Sequence, residues 1–262
     1  MKLAHALAAL LVAPIAVASL ATPVWAAELH LVSSGGFAAA YKALVPEWEK
    51  ETGNTVVAAW GPSMGTTENA VPQRLARGEK IDVVIMVGYA LDKLVEDGKV
   101  AAADAVPLAR SGIGVVVREG APHPDISTPE ALKQALLAAK SVAYSDSASG
   151  VYIEREMFKK LGIEDQMKGK ARMIPAEPVG AVVARGDAEI GFQQISELKP
   201  ITGIALLGPV PPPLQLDTIF SAGTLADSTE KEAARALVQF LGAPAAATAI
   251  VNSGMEPMSA PK

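Results

Sequence analysis

Cysteine is missing altogether, and histidine occurs only three times. The first absence excludes a disulfide scaffold and any thiolate chemistry. Together they argue against a structural zinc site, which needs thiol or imidazole ligands in close groups. Aromatic residues make up only 5% of the chain although 50% is hydrophobic, so the apolar surface must come from Ala, Val, Leu and Ile. That is ample for a core and excludes a disordered chain. Positive charge is short as well: 23 Lys and Arg stand against 28 Asp and Glu, a formal net charge of −5. The chain has no overall attraction for phosphate, which argues against a nucleic-acid partner. It also lacks the phosphate-loop pattern, the glycine-rich dinucleotide fingerprint, Gly-x-Ser-x-Gly and His-Glu-x-x-His.

Residues 1–26 read as a removable leader. Lys2 supplies the positive start, residues 7–20 are an almost unbroken apolar run, and Val24-Trp25-Ala26 ends in small-x-small style. No later segment approaches about 18 apolar residues, so no stable membrane insertion is expected. With no Cys to take a lipid, the expected product is free and soluble, in the periplasm of a Gram-negative host.

The rest of the chain alternates strand and helix. Residues 28–33, 55–60 and 81–87 are short apolar strands, and each runs into a turn and a helix. The expected helices cover 37–52, a segment from Thr66 or Thr67 to Gly78, and 91–96. The rhythm repeats with strands at 113–118, 141–145, 171–174 and 189–193 and helices at 151–161 and 178–185. It predicts an α/β fold of two lobes, each a mainly parallel sheet flanked by helices. Residues 27–107 and 205–262 form the expected outer lobe, and 108–204 the inserted second lobe with its crossover strands. A ligand would sit in the cleft between the lobes, at the C-terminal ends of the strands.

Three strand-to-helix turns share one composition. They are Ser33-Ser34-Gly35-Gly36, Ser63-Met64-Gly65-Thr66-Thr67 and Ser147-Ala148-Ser149-Gly150. Glycine lets backbone approach a ligand, and Ser or Thr adds a hydroxyl donor. The following helix aims free N–H groups and its positive dipole end at the same spot. Ser33, Ser34, Gly35, Ser63, Thr66, Thr67, Ser147, Ser149 and Gly150 are therefore expected to bind an anion. Gln193 and Gln194, where the chain recrosses, can donate to a carboxylate and join them. No metal or cofactor is expected.

The order of these motifs resembles periplasmic solute-binding proteins of the molybdate-binding type. The resemblance rests on the first turn with Phe37 after it, on Gly78-Glu79-Lys80-Ile81-Asp82-Val83, and on Ala184-Arg185-Gly186-Asp187-Ala188-Glu189-Ile190-Gly191. It spans essentially the whole chain after the leader and implies two α/β lobes closing on a ligand like a clamp. Two departures point to an organic anion larger than molybdate. Gln194 stands where molybdate binders usually place Tyr, and the third turn is rich in hydroxyls. Phe192-Gln193-Gln194-x-Ser196-Glu197-Leu198, with Ala70-Val71-Pro72-Gln73-Arg74-Leu75-Ala76, resembles a distinct branch that includes isomerases of aconitate. That branch implies interconversion of trans- and cis-aconitate by an allylic proton shift. The other open reading is a passive receptor, the substrate-binding component of an ABC transporter that hands an organic anion or a molybdate-like oxyanion to a membrane permease. A monomer is expected under both. An isomerase needs a base, and a partly buried carboxylate can serve. Glu177, before the helix at Pro178, is the first candidate, Tyr152 the second and His30 the third.

Overall fold

The computed structural model describes residues 26–258. The leader read at 1–26 lies, except for Ala26, outside the described residues. The chain enters through β1 (Glu28–Ser33), passes a 3-10 turn (Gly35–Phe37) into α1 (Ala38–Thr52), and returns in β2 (Thr55–Trp60). Then come α2 (Val71–Ala76), β3 (Val83–Val87), α3 (Gly88–Glu96) and the long β4 (Val100–Ser111). Next are β5 (Ile113–Arg118), α4 (Pro129–Ala138), β6 (Val142–Ser145) and α5 (Ala148–Tyr152). A π-turn (Ile153–Met157) joins α5 to α6 (Phe158–Leu161) without a break. After α7 (Glu164–Met167) the chain forms β7 (Ala171–Ile174), α8 (Val179–Arg185), β8 (Ile190–Gln194), α9 (Ile195–Leu198) and β9 (Ile204–Pro209). It closes with β10 (Thr218–Leu225), α10 (Lys231–Gly242), α11 (Ala247–Asn252) and β11 (Glu256–Pro257). Among the described residues no single helix is long and apolar enough to cross a membrane.

The strands form two sheets, ordered β11-β4-β10-β3-β1-β2 and β7-β6-β8-β5-β9. Strands linked through helices pair in parallel, as expected: β1 with β2 and β3, and β6 with β7 and β8. The strands at the crossings run the other way, so each sheet is mixed: β10 is antiparallel to β3 and β4, and β5 to β8 and β9. By sheet membership the second sheet spans Ile113–Pro209, a few residues later than the expected 108–204. The shift has a simple cause, because β4 keeps its pairing with β10 as far as Ser111.

Period-2 alternation builds both cores. Leu29 and Leu31 of β1 and Val83 and Ile85 of β3 face α1 and α10, where Leu44, Trp48, Leu237 and Leu241 cover them. Val32, Val84 and Met86 point to the opposite face, onto Leu91 and Leu94 of α3. β3 is thus buried on both faces, which explains its continuous apolar run. The second sheet repeats the scheme, with Val115, Tyr144 and Phe192 under Leu132, Leu136, Ile153 and Met157. Each fully buried side chain of this size contributes about 1.5–3 kcal/mol. α1 ends where it should, since Gly53 takes the left-handed backbone (φ 75°) that a side chain would resist.

One expected helix starts late. Residues 61–70 stay irregular, and α2 begins at Val71 instead of Thr66 or Thr67. The loop doubles back, so the Asn69 carbonyl packs directly on Gly61, where no Cβ could fit. The Val71 N–H closes it by donating to the Pro62 carbonyl at 3.0 Å. Arg74 pins it from behind, donating to the Asn69 carbonyl at 2.9 Å and pairing with Glu79.

Candidate ligand site between the two sheets

Every parallel strand ends on one cavity. It has a volume of about 270 Å³ and collects Ser34 after β1, Ser63 after β2, Val87 ending β3, Ser147 after β6, Glu177 after β7 and Gln194 ending β8. This size lies at the lower limit of small-molecule sites, about 300 Å³. Trp60 and Phe220 supply apolar walls; Trp60 is braced edge-on by Tyr41 with ring centres 5.3 Å apart. The 3-10 turn rests on the Phe220 ring, and a Cβ at Gly36 would overlap it.

Hydroxyl donors surround the space. Ser34 Oγ is buried and has no hydrogen-bond partner among the described residues, so it is available to a ligand. Ser63 Oγ accepts from the Val87 N–H at 2.9 Å, which leaves its own hydrogen available. Ser147 Oγ lies 2.8 Å from Ser145 Oγ, and Ser145 Oγ lies 3.0 Å from Ser149 Oγ. Two longer helical runs start at the cavity, the 3-10 turn with α1 and the α5–α6 run, and their first-turn N–H groups have no partner within the helix. These supply positive potential where side-chain cations do not: among the described residues that line the cavity there is no Lys or Arg.

Three carboxylates line the cavity instead, and their surroundings differ. Asp146 accepts from the Ala176 N–H at 3.2 Å and holds Ala176 in a left-handed conformation (φ 57°). Glu177 is held in a two-pronged ion pair by Arg185, at 3.0 and 3.2 Å, and is 45% exposed. Glu197, in the short α9, has no ion-pair partner among the described residues. Its Oε1 sits over the Gly35 α-carbon, in space that exists only because residue 35 has no Cβ. Burial drives its carboxyl up to about 7, and the negative charge of Asp146 adds to the shift; the Gln193 amide and the Gln194 N–H pull the other way.

The residues expected from sequence divide accordingly. Ser34, Gly35, Ser63, Ser147, Gln193, Gln194 and Glu177 line the cavity. Ser33 lies behind it at the end of β1, its hydroxyl donating to the Ser34 carbonyl at 3.0 Å. Thr66 and Thr67 are exposed outside it, because the loop that carries them folds back instead of starting a helix. Ser149 and Gly150 are buried behind Ser147, with Gly150 packed on the Ser145 carbonyl. Two of the three base candidates do not reach the cavity. His30 lies along β1 with its ring 3.6 Å from Glu28. Tyr152 packs in the core of the second sheet and donates its hydroxyl to the Leu214 carbonyl at 2.5 Å. The third, Glu177, is a half-exposed ion pair and not the partly buried free carboxylate that was expected.

The sequence of the family of bacterial extracellular solute-binding proteins matches residues 29–256. The chain belongs to this family. An aconitate isomerase from a Pseudomonas species is 51% identical over 243 residues, 91% of this chain and 93% of that protein. The periplasmic molybdate-binding protein of Azotobacter vinelandii superposes with a TM-score of 0.70 at 20% identity, covering 87% of this chain and 98% of that one. The sulfate-binding protein of Mycobacterium tuberculosis gives 0.65 at 20% identity, covering 88% and 87%. At such identities the solved structures carry the two-lobed fold and nothing about the ligand.

In this solute-binding protein the two glutamines play parts that their sequence position does not reveal. Gln193 Oε1 accepts from the Val179 N–H at 2.9 Å, which turns its Nε2 toward Glu197. The Gln194 amide lies 2.8 Å from Thr218 Oγ1, and the orientation that satisfies both its ends gives its Nε2 to the Ser111 carbonyl and hydroxyl. Gln194 thus ties the two crossings together beside the cavity. The residue missed from sequence is Glu197. Its signal was an acid in the helical turn that opens directly from the end of a strand, the place from which the serines were chosen.

Proposed function

We propose that this solute-binding protein is a periplasmic aconitate isomerase that interconverts trans- and cis-aconitate. The observation that carries the reading is the 51% identity, over nine-tenths of both chains, with the Pseudomonas enzyme of that activity. The cavity agrees with it. A volume of about 270 Å³ leaves room beyond a tetrahedral oxyanion, and hydroxyls and helix N-termini from both sheets converge on it. Those donors are preorganised for the carboxylates of a tricarboxylate and for the charge that develops when a proton leaves its methylene carbon. On this reading the protein works in the periplasm as a monomer, a location that the leader-like residues 1–26 and membership of the extracellular solute-binding family support. No oxidant, metal or carrier is needed, because the reaction moves one proton and one double bond within the substrate.

The second reading is a receptor that binds an organic anion for a membrane permease; the shared fold with molybdate- and sulfate-binding proteins favours it. Incubation of the purified protein with trans-aconitate separates the two. Catalytic accumulation of cis-aconitate is expected, whereas binding without product would leave the receptor.

A further inference from the structure

We propose that Glu197 is the acid–base residue of this site, taking a proton from the substrate methylene and returning it to the former vinylic carbon. The assignment rests on the isomerase reading and deepens it. Three carboxylates line the cavity: Asp146 accepts from the Ala176 N–H, Glu177 is paired with the Arg185 guanidinium, and Glu197 accepts only from neutral donors, the Gln193 amide and the Gln194 N–H. Neither Asp146 nor Glu197 has a cation beside it among the described residues, but only the Glu197 carboxyl lies against the Gly35 backbone inside the cavity. Its position is built by more than one element. Gly35 clears the space for its Oε1, Gln193 is turned toward it by the Val179 N–H, and α9 springs from the end of β8. Next to Gly35 in the chain stands the unpartnered Ser34 hydroxyl, a ready donor to a substrate carboxylate.

The chemistry balances with this one residue. The Glu197 carboxylate accepts the methylene proton; that C–H bond breaks, and its electron pair spreads over the neighbouring double bond and a carboxylate. Glu197, now a carboxylic acid, gives the proton to the former vinylic carbon. A new C–H bond forms there, the double bond has moved by one carbon, and the carboxylate is restored. The two reacting carbons flank the same central carbon, so one carboxyl on one face reaches both. A base poised near neutrality suits both halves of this transfer, and burial holds Glu197 there. The groups facing Glu197 leave that assignment to it. The 3-10 turn and β8 carry no titratable side chain. On α1, Lys42 and Tyr41 turn to the Trp60 ring. Arg185 of α8 is spent on Glu177 and Asp187. Arg118, at the far end of β5, lies beside Gly186, which leaves Asp146 as the charge that acts on Glu197 and raises its pKa.

Glu197→Gln keeps the shape and removes the base. Calorimetry and steady-state kinetics on the intact protein should show trans-aconitate binding retained and turnover lowered by at least about 10²-fold. The variant should melt no lower than the unaltered protein above pH 7. Ionising a carboxyl whose folded pKa is raised costs stability as pH climbs from the ordinary value of 4.5 to about 7, so above pH 7 the cost is complete and the amide escapes it. Independently of any variant, kcat/KM of the unaltered protein should fall about tenfold per pH unit below about 7, as the base is protonated. Turnover of Glu197→Gln close to that of the unaltered protein, or a flat pH profile from about 5 to 8, overturns the assignment. Loss of binding together with turnover in a folded variant also overturns it, by making Glu197 a ligand-holding group. An unaltered protein without turnover overturns the isomerase reading itself and the assignment with it.

Discussion

A methyl group at position 35 would occupy the space that Glu197 Oε1 now fills. Gly35→Ala therefore tests the geometry of the site without touching its chemistry. The carboxyl must move, and a misplacement of roughly 1 Å costs about 10²-fold in rate. We expect kcat to fall toward that level while the melting temperature changes little; a kcat near that of the unaltered protein would mean that Glu197 has room to work elsewhere. The contrast between Glu197 and Glu177 also shows what sequence can reveal at this scale. Both acids follow a strand end. What separates them is company: Arg185, at the far end of the helix that Glu177 precedes, neutralises one, and nothing among the described residues neutralises the other. The serines were legible because turn, strand end and helix start are local patterns. The neighbours of a carboxylate come from distant segments, so its pKa was not legible.

Elements follow local rules more closely than residues do. Apart from β4, β9 and β11, the strands and most helices stand where apolar alternation, glycine stops and polar turns place them, because those signals act over a few residues. α2 departs because a contact between distant residues, the Asn69 carbonyl on Gly61, holds the preceding loop out of helix. Asp82 is the element-scale counterpart. This fully buried carboxylate accepts from the His30 N–H at 2.8 Å and from the Ser228 hydroxyl at 2.6 Å. It locks β1 to the entrance of β3 and to the segment after β10. Asp82→Ala would strand both donors, at a cost of about 3 kcal/mol. For a chain of this size that lowers the melting temperature by roughly 6–12 °C. Differential scanning calorimetry measures it, and turnover at low temperature should survive, because Asp82 does not line the cavity.

At the scale of the molecule, two crossings join the sheets, and amide side chains tie them. Gln215 forms a paired contact with the Ile113 backbone, accepting its N–H at 2.9 Å and donating to its carbonyl at 3.0 Å. Gln194 bridges Ser111 and Thr218. Two sheets with an inserted segment were legible in the run of strands; the role of Gln194 was not, since an amide beside a cavity reads equally as ligand or as brace until its partners are known. The absence of Lys and Arg from the cavity wall has a kinetic consequence. A polyanionic substrate approaches a chain of net charge −5 whose entrance presents carboxylates, so long-range electrostatics slow the encounter instead of steering it. Raising ionic strength from about 0.01 to 0.15 M shortens the screening length from roughly 30 to 8 Å. Wherever substrate capture limits the rate, kcat/KM should therefore climb with added salt. Stopped-flow association rates across a salt series would show the same upward slope, and a downward slope would reveal a cationic approach path.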